Sequence, residues 1–157
     1  MILATHAVVG AAVATLFPHS PQMGFLAAFV SHFVLDAIPH WDYLSLEFKR
    51  ATDANTKFWR EKPFWRDFAK ISLDVFIGLI ILIILAKIRG LNPRHIFIGA
   101  FFATLPDPLQ FISWVFKLTP LKYHDKFQFW IHSKKEPNPW PGLLVQVVLV
   151  AIAISIF

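Results

Sequence analysis

The first 35 residues, MILATHAVVGAAVATLFPHSPQMGFLAAFVSHFVL, contain no Lys, Arg, Asp or Glu. This run is interrupted at residues 18–21, where the sequence Pro-His-Ser-Pro favours a turn. Pro39 closes the apolar pattern and predicts a helix end. We therefore predict a helical hairpin with arms over residues 2–17 and 22–38. An arm of about 16 residues spans roughly 24 Å, slightly less than a bilayer core of about 30 Å.

The composition is typical of a membrane protein. Hydrophobic residues make up 56% of the 157 residues and charged residues 16%, whereas a soluble domain carries about 25% charged residues. The net charge of +5 lies in short stretches between apolar segments. This placement favours anionic membrane lipids as partners and argues against nucleic acid. The sequence has no cysteine, so any metal site must use histidine and carboxylate ligands.

Three further apolar segments follow the hairpin. Residues 70–88 contain one acidic residue, Asp74, whereas residues 141–157 are uncharged. Residues 95–116 are interrupted by Leu105-Pro106-Asp107-Pro108. We therefore predict an all-α fold, a single polytopic transmembrane domain over residues 1–157. Its approximately five membrane helices are predicted at about residues 2–17, 22–38, 70–88, 95–116 and 141–157.

A polar and aromatic stretch separates the hairpin from the third apolar segment. Residues 41–69 interleave Trp and Phe with Lys and Arg, including the triplet Phe-Trp-Arg at residues 58–60 and again at 64–66. This pattern predicts an amphipathic segment lying in the membrane interface. A loop with aromatic anchors is an equally good interpretation.

The basic residues predict how the chain is oriented in the membrane. With five spans, three basic residues lie on one side: Lys87, Arg89 and Arg94. The other twelve share the side of the N-terminus: Lys49, Arg50, Lys57, Arg60, Lys62, Arg66, Lys70, Lys117, Lys122, Lys126, Lys134 and Lys135. The positive-inside rule then predicts a cytoplasmic N-terminus. Because no Lys or Arg precedes Lys49, we also expect the first segment to remain as a helix rather than to act as a cleaved signal peptide.

Residues 31–42, SHFVLDAIPHWD, hold the strongest candidate site. His32 and Asp36 are four residues apart and share a helix face, and His40 follows one turn later. Two imidazoles and a carboxylate in register are good ligands for a divalent ion such as zinc, with manganese and iron as alternatives. The competing interpretation is a polar stripe that bonds neighbouring helices. Since ionisable groups are costly in a membrane helix, we favour a functional site.

Other segments place further candidate ligands at the same predicted cytoplasmic end of the helix bundle. His6, followed one turn later by Gly10, which permits close helix approach, is either a metal ligand or a hydrogen-bonded core histidine. Asp107 is either a ligand or base at a helix break or part of a simple kink. His124 and His132 either complete the metal site or are solvated.

The predicted roles of Asp74, His19 and His95 depend on where each residue lies relative to this cytoplasmic end of the bundle. Asp74 could bind the metal, orient a ligating histidine or pair with Lys70. His19 and His95 fall at the opposite end, and we expect them to be uninvolved.

Short motifs occur along most of the chain: Thr5-His6, Ser31-His32 with Asp36, Pro39-His40, Pro106-Asp107, and His124 with His132-Ser133. This set resembles the predicted membrane-bound metal-dependent hydrolases. These are small bacterial and archaeal inner-membrane proteins, one branch of which is regulated by the LexA repressor. In this chain the Ser-His…Asp helix precedes the Pro-Asp element, an order that differs from the family's. The resemblance implies an inner-membrane location and a hydrolase activity that depends on a metal.

We therefore expect a metal-dependent hydrolase at the cytoplasmic membrane face, acting on a lipid phosphoester or ester. His6, His32 and Asp36 would hold the ion, with help from Asp107 and His40, and Asp107 or Asp42 would serve as general base. The alternative is a non-enzymatic membrane protein. In that case an ion carrier or scaffold would use the same residues as a polar network or as a structural metal site.

Overall fold

The structure, a computed structural model, describes residues 1–42, 62–116, 118–132 and 138–157. Over these residues the chain forms seven α-helices and no β-strand, which confirms the prediction of an all-α fold. The helices are α1 (Leu3–Thr15), α2 (Pro21–Ala37), α3 (Lys62–Arg89), α4 (Pro93–Thr104), α5 (Pro106–Phe116), α6 (Leu121–Ile131) and α7 (Pro139–Ile156).

Local sequence accounts for the helix boundaries. Proline stands in the first turn of α2, α4 and α7, where the missing N–H costs nothing. Gly90 ends α3 with a φ of 62°, a left-handed conformation that glycine adopts without strain. The N–H of Leu91 then donates to the carbonyl of Ala86 at 3.0 Å, which completes a Schellman motif.

Helix α1 lies in the centre of the bundle and packs against α2, α3, α4 and α7. Small residues allow its closest approach, which is to α4. A Cβ atom added to Gly10 would lie 2.0 Å from Cβ of Ala103, and one added to Gly99 would lie 2.6 Å from Cβ of Ala14. The prediction that Gly10 permits close helix packing is therefore confirmed.

The outer faces of α3 and α7 are apolar. Leu73 and Phe76 of α3 are each 60% exposed, and Leu144 of α7 is 63% exposed. Soluble monomers rarely expose contiguous apolar surface of this kind, whereas lipid-facing helices require it. Buried polar side chains and exposed apolar ones together are compatible with a membrane protein.

The number of possible membrane spans is smaller than the approximately five predicted. Within the described residues, two helices are long and apolar enough to cross a bilayer, at Phe64–Arg89 and Pro139–Ile156. A third span is possible if α4 and α5, which meet at a 40° bend, count as one broken helix. By contrast, α1 has 13 residues and α2 has 17. At 1.5 Å per residue these reach only about 20 and 26 Å.

Two helix boundaries also differ from the prediction. Helix α3 begins at Lys62, about two turns before the predicted start near residue 70, and so includes the second Phe-Trp-Arg triplet. Helix α6 forms within a stretch for which no helix was predicted. Most of the predicted interfacial segment, residues 43–61, lies outside the described residues.

Candidate metal centre

The predicted His and Asp residues converge at the end of the bundle where α1 begins. His6 lies on the first turns of α1, and His32 and Asp36 lie on the last turns of α2. All three are at most 2% exposed. Each offers one ligand atom to a group whose atoms lie within 4.8 Å of one another. The spacing of His32 and Asp36 on one helix face therefore does create a shared site, and a second helix completes it.

Asp36 lies between the two histidines. Its Oδ1 is 3.2 Å from Nε2 of His6, and its Oδ2 is 3.2 Å from Nε2 of His32. The two imidazole rings stack with centroids 4.2 Å apart, so both present Nε2 to the same carboxylate. Two ligands of a tetrahedral zinc ion, each about 2.0–2.1 Å from the metal, are about 3.3 Å apart. The three residues therefore offer donor atoms of a suitable type, close enough together that they could hold a metal ion.

A backbone carbonyl sets the tautomer of His32. Its Nδ1 lies 2.9 Å from the carbonyl oxygen of Ala103, which can only accept, so Nδ1 carries the proton. A neutral His32 then presents a lone pair at Nε2, toward the Asp36 carboxylate. Two lone pairs at this distance need a proton or a metal cation between them. Metal-ligating histidines commonly donate their other N–H to a carbonyl in this way.

His40 shows the same arrangement just beyond the end of α2. Its Nδ1 donates to the carbonyl of Ile38 at 2.7 Å, and its Nε2 lies 2.6 Å from the nitrogen of Met1. The Met1 nitrogen is also 3.3 Å from Oδ1 of Asp36. Burial and the nearby N-terminal charge lower the pKa of His40 below its usual range. Both effects favour the neutral form of the imidazole, which is the form that can bind a metal.

His132, at the end of α6, joins His40. The two rings meet edge to face with centroids 4.9 Å apart. Asp36, His40 and His132 form a second group whose ligand atoms lie within 4.8 Å of one another. Asp36 is therefore common to both groups.

Asp107 lies at the edge of the first group. The helix break at Leu105 places its Oδ1 3.6 Å from Nε2 of His32, with its side chain 33% exposed. The Nε2 group of Gln128, on α6, donates to the same oxygen at 3.0 Å and lies 3.4 Å from Nε2 of His32. Asp107 thus lies beside the first group and is more accessible than Asp36.

Two buried atoms near the centre lack a hydrogen-bond partner among the described residues. They are Nδ1 of His6 and Oε1 of Gln128. Buried polar atoms are almost always paired, so each unpaired one needs an explanation. A bound ion with water ligands would give Oε1 of Gln128 a donor.

Asp74 and Gln146 support the start of α1. Oδ2 of Asp74 accepts from the N–H of Ala4 at 3.1 Å, and Oε1 of Gln146 accepts from the N–H of Ile2 at 3.0 Å. The first turn of a helix leaves such N–H groups unpaired and favours negative charge. Asp74 therefore positions the helix that carries His6 and lies outside both ligand groups.

The remaining candidates lie elsewhere. Nδ1 of His124, on α6, is 3.6 Å from Oδ1 of Asp125, whereas Oδ2 of Asp125 accepts a hydrogen bond from Ser113. His124 belongs to neither ligand group. Asp42 is half-buried two residues beyond His40 and is also outside both groups. At the opposite end, His95 bonds the carbonyl of Ala14 at 2.8 Å, and His19 is exposed.

The sequence reasoning missed the two buried glutamines. Gln146 stands out as the one amide in an otherwise apolar final segment, 1% exposed, and this isolation could have identified it. Gln128 lies among charged and aromatic residues and carries no comparable pattern.

Comparisons with protein-family models, with curated proteins and with solved structures returned no match.

Proposed function

We propose that this protein is a membrane-embedded metal-dependent hydrolase whose site opens at the headgroup level of the cytoplasmic face of a prokaryotic inner membrane. The observation that carries the proposal is the buried group of His6, His32 and Asp36, with each imidazole nitrogen 3.2 Å from a carboxylate oxygen. Burying such groups in an apolar bundle is costly and is retained where the groups serve a function.

Each residue has a role in this reaction. His6, His32 and Asp36 would hold a divalent ion, zinc or alternatively manganese or iron. When bound, the ion lowers the pKa of a coordinated water to about 7. Asp107, partly exposed beside His32, accepts the proton of the attacking water. The amide of Gln128 holds Asp107 in place.

A membrane lipid is the substrate class that the surroundings favour. The apolar outer faces of α3 and α7 would place the site beside lipid. A groove of about 350 Å³ lies beside the start of α1 and residues 70–77 of α3, and it is lined by Ile2, Trp41, Lys70, Leu73, Asp74 and Ile77. Its largely apolar walls suit an acyl chain. A lipid phosphoester or ester fits these features.

A second candidate function is a non-enzymatic one, and the hydrogen bonds within the site favour it. Asp36 with two imidazolium or imidazole partners forms a polar network that joins α1 to α2 without any metal. A scaffold, an ion carrier or a structural metal site would use the same residues.

Metal content and turnover separate these functions. The full chain, purified in detergent and loaded with zinc, manganese or iron, is assayed for bound metal and for hydrolysis of a panel of phospholipids and acyl esters. We expect stoichiometric metal and turnover in the wild type and in the exposed-site control His19→Ala, and loss of both in His32→Ala. A wild type without stoichiometric metal, or equal turnover in His32→Ala, overturns the proposal. Ion flux into proteoliposomes would indicate a carrier instead.

A further inference from the structure

We infer that the site has positions for two metal ions, bridged by the carboxylate of Asp36. This inference rests on the proposed metal site and extends it by a second ion. The first position is formed by His6, His32 and Asp36, and the second by Asp36, His40 and His132. A carboxylate has two oxygens and can ligate two ions at once.

The orientation of the histidines supports the second position independently of the first. Nδ1 of His40 is committed to the carbonyl of Ile38, so its lone pair at Nε2 points away from the backbone. Nδ1 of His32 is committed to Ala103 in the same manner. The second position therefore repeats the carbonyl-oriented imidazole that is typical of metal ligands.

The nitrogen of Met1 lies where the second ion would bind. It contacts Nε2 of His40 at 2.6 Å and Oδ1 of Asp36 at 3.3 Å, so it lies between two residues of the second group. An ion bound to Nε2 of His40 would displace the Met1 nitrogen from its contact with that atom. The contact shows that both atoms are able to receive a positively polarised group at this point.

The two positions differ in their surroundings. The residues of the first group are nearly inaccessible, whereas His132 is only partly buried. We expect the second ion to bind more weakly and to exchange faster. In two-metal hydrolytic sites the ions lie about 3.5–4 Å apart and together stabilise the attacking and leaving oxygens. A second ion here would therefore favour phosphoester over carboxylic ester substrates.

Metal stoichiometry and electron paramagnetic resonance of the full chain loaded with Mn²⁺ test this inference. We expect about two ions per chain in the wild type and in His19→Ala, and about one in His40→Ala and in His132→Ala. The wild type should show the exchange-coupled spectrum of neighbouring ions, and both single-site variants the spectrum of isolated Mn²⁺. The Mn²⁺ concentration is raised until the ion count no longer increases. Because the wild-type spectrum is read without any substitution, a variant that fails to fold does not remove the test.

The outcomes distinguish this inference from the proposed hydrolase. One ion per chain at saturation, or two ions without exchange coupling, overturns the two-ion site even if the protein hydrolyses a lipid. Two coupled ions without turnover of any substrate support the two-ion site and overturn the hydrolase. A chain that binds no ion overturns both.

Discussion

The two halves of α1 are packed by opposite means. Its first turns are surrounded by buried polar groups, and Thr5 and His6 are each 1% exposed. Its later turns are packed by small residues, with Gly10 and Ala14 meeting Gly99 and Ala103 of α4. The difference indicates that the small-residue half holds the bundle together by close backbone approach. The polar half of α1 can therefore be surrounded by buried polar side chains that are not needed to hold the helices together.

Gly10→Leu should produce the largest loss of stability, because it disrupts the packing of the small-residue half of α1 against α4. A side chain at Gly10 meets Ala103 at a distance that no real pair of Cβ atoms adopts, so α1 and α4 must separate. We expect the free energy of unfolding to fall by more than about 3 kcal/mol, measured by thermal unfolding and by the yield of monodisperse protein in detergent.

Ala151→Leu is the matched control because it adds a large side chain on the exposed face of α7. It should leave the unfolding temperature nearly unchanged. If the two variants unfold at the same temperature, the small-residue contact does not hold the bundle together.

Asp36→Asn should have the next largest effect and acts on the polar half. It keeps the shape of the side chain but removes the charge that two histidines share. We expect loss of bound metal and a fall of about 3 kcal/mol in the free energy of unfolding, because the partners remain buried. Metal analysis and thermal unfolding measure the two effects.

Asp67→Asn controls for the general cost of changing a buried carboxylate. Asp67 is 0% exposed on α3 and pairs with Lys70 at 3.1 Å, outside both ligand groups. It should lose stability yet keep its metal. Loss of metal in both variants would mean that metal retention reports folding rather than ligation.

Of the three substitutions, Gln146→Leu should cause the smallest loss in the free energy of unfolding. The substitution removes the acceptor for the N–H of Ile2 and the donor to the carbonyl of Trp41. We expect a loss of about 1–3 kcal/mol in the free energy of unfolding. Ser155→Ala, on the exposed part of the same helix, removes only a bond to its own helix at Ile152 and should cost little. Equal costs for the two would argue that Gln146 does not anchor α1.

The sequence predicted the core of this site because helix geometry alone relates its parts. Spacing of four residues puts His32 and Asp36 on one face, and the hairpin returns that face to His6. The break at Leu105 similarly places Asp107 beside them. Gln128 was not predictable, since its role depends on how α6 folds back onto α2 and α5. The separation of His124 from both ligand groups depends on the same tertiary contact.

The described residues offer two or three possible spans, fewer than the approximately five predicted, and the apolar pattern of α1 belongs to a helix of only 13 residues. Hydropathy cannot distinguish a helix that faces lipid from one enclosed by other helices, as α1 is. The 13 residues of α1 consist largely of Ala, Val and Gly, a composition that is compatible with a helix facing lipid and with one enclosed by other helices.

X-ray absorption spectroscopy of the zinc-loaded full chain tests the central claim most directly. The account predicts a zinc absorption edge whose height corresponds to stoichiometric metal. The fine structure should show nitrogen and oxygen ligands at about 2.0–2.2 Å from the ion. It further predicts outer-shell scattering from imidazole in the wild type and in His19→Ala, and no stoichiometric zinc in His32→Ala. A spectrum without imidazole scattering, or one identical in His32→Ala, would contradict a metal centre built on His6, His32 and Asp36.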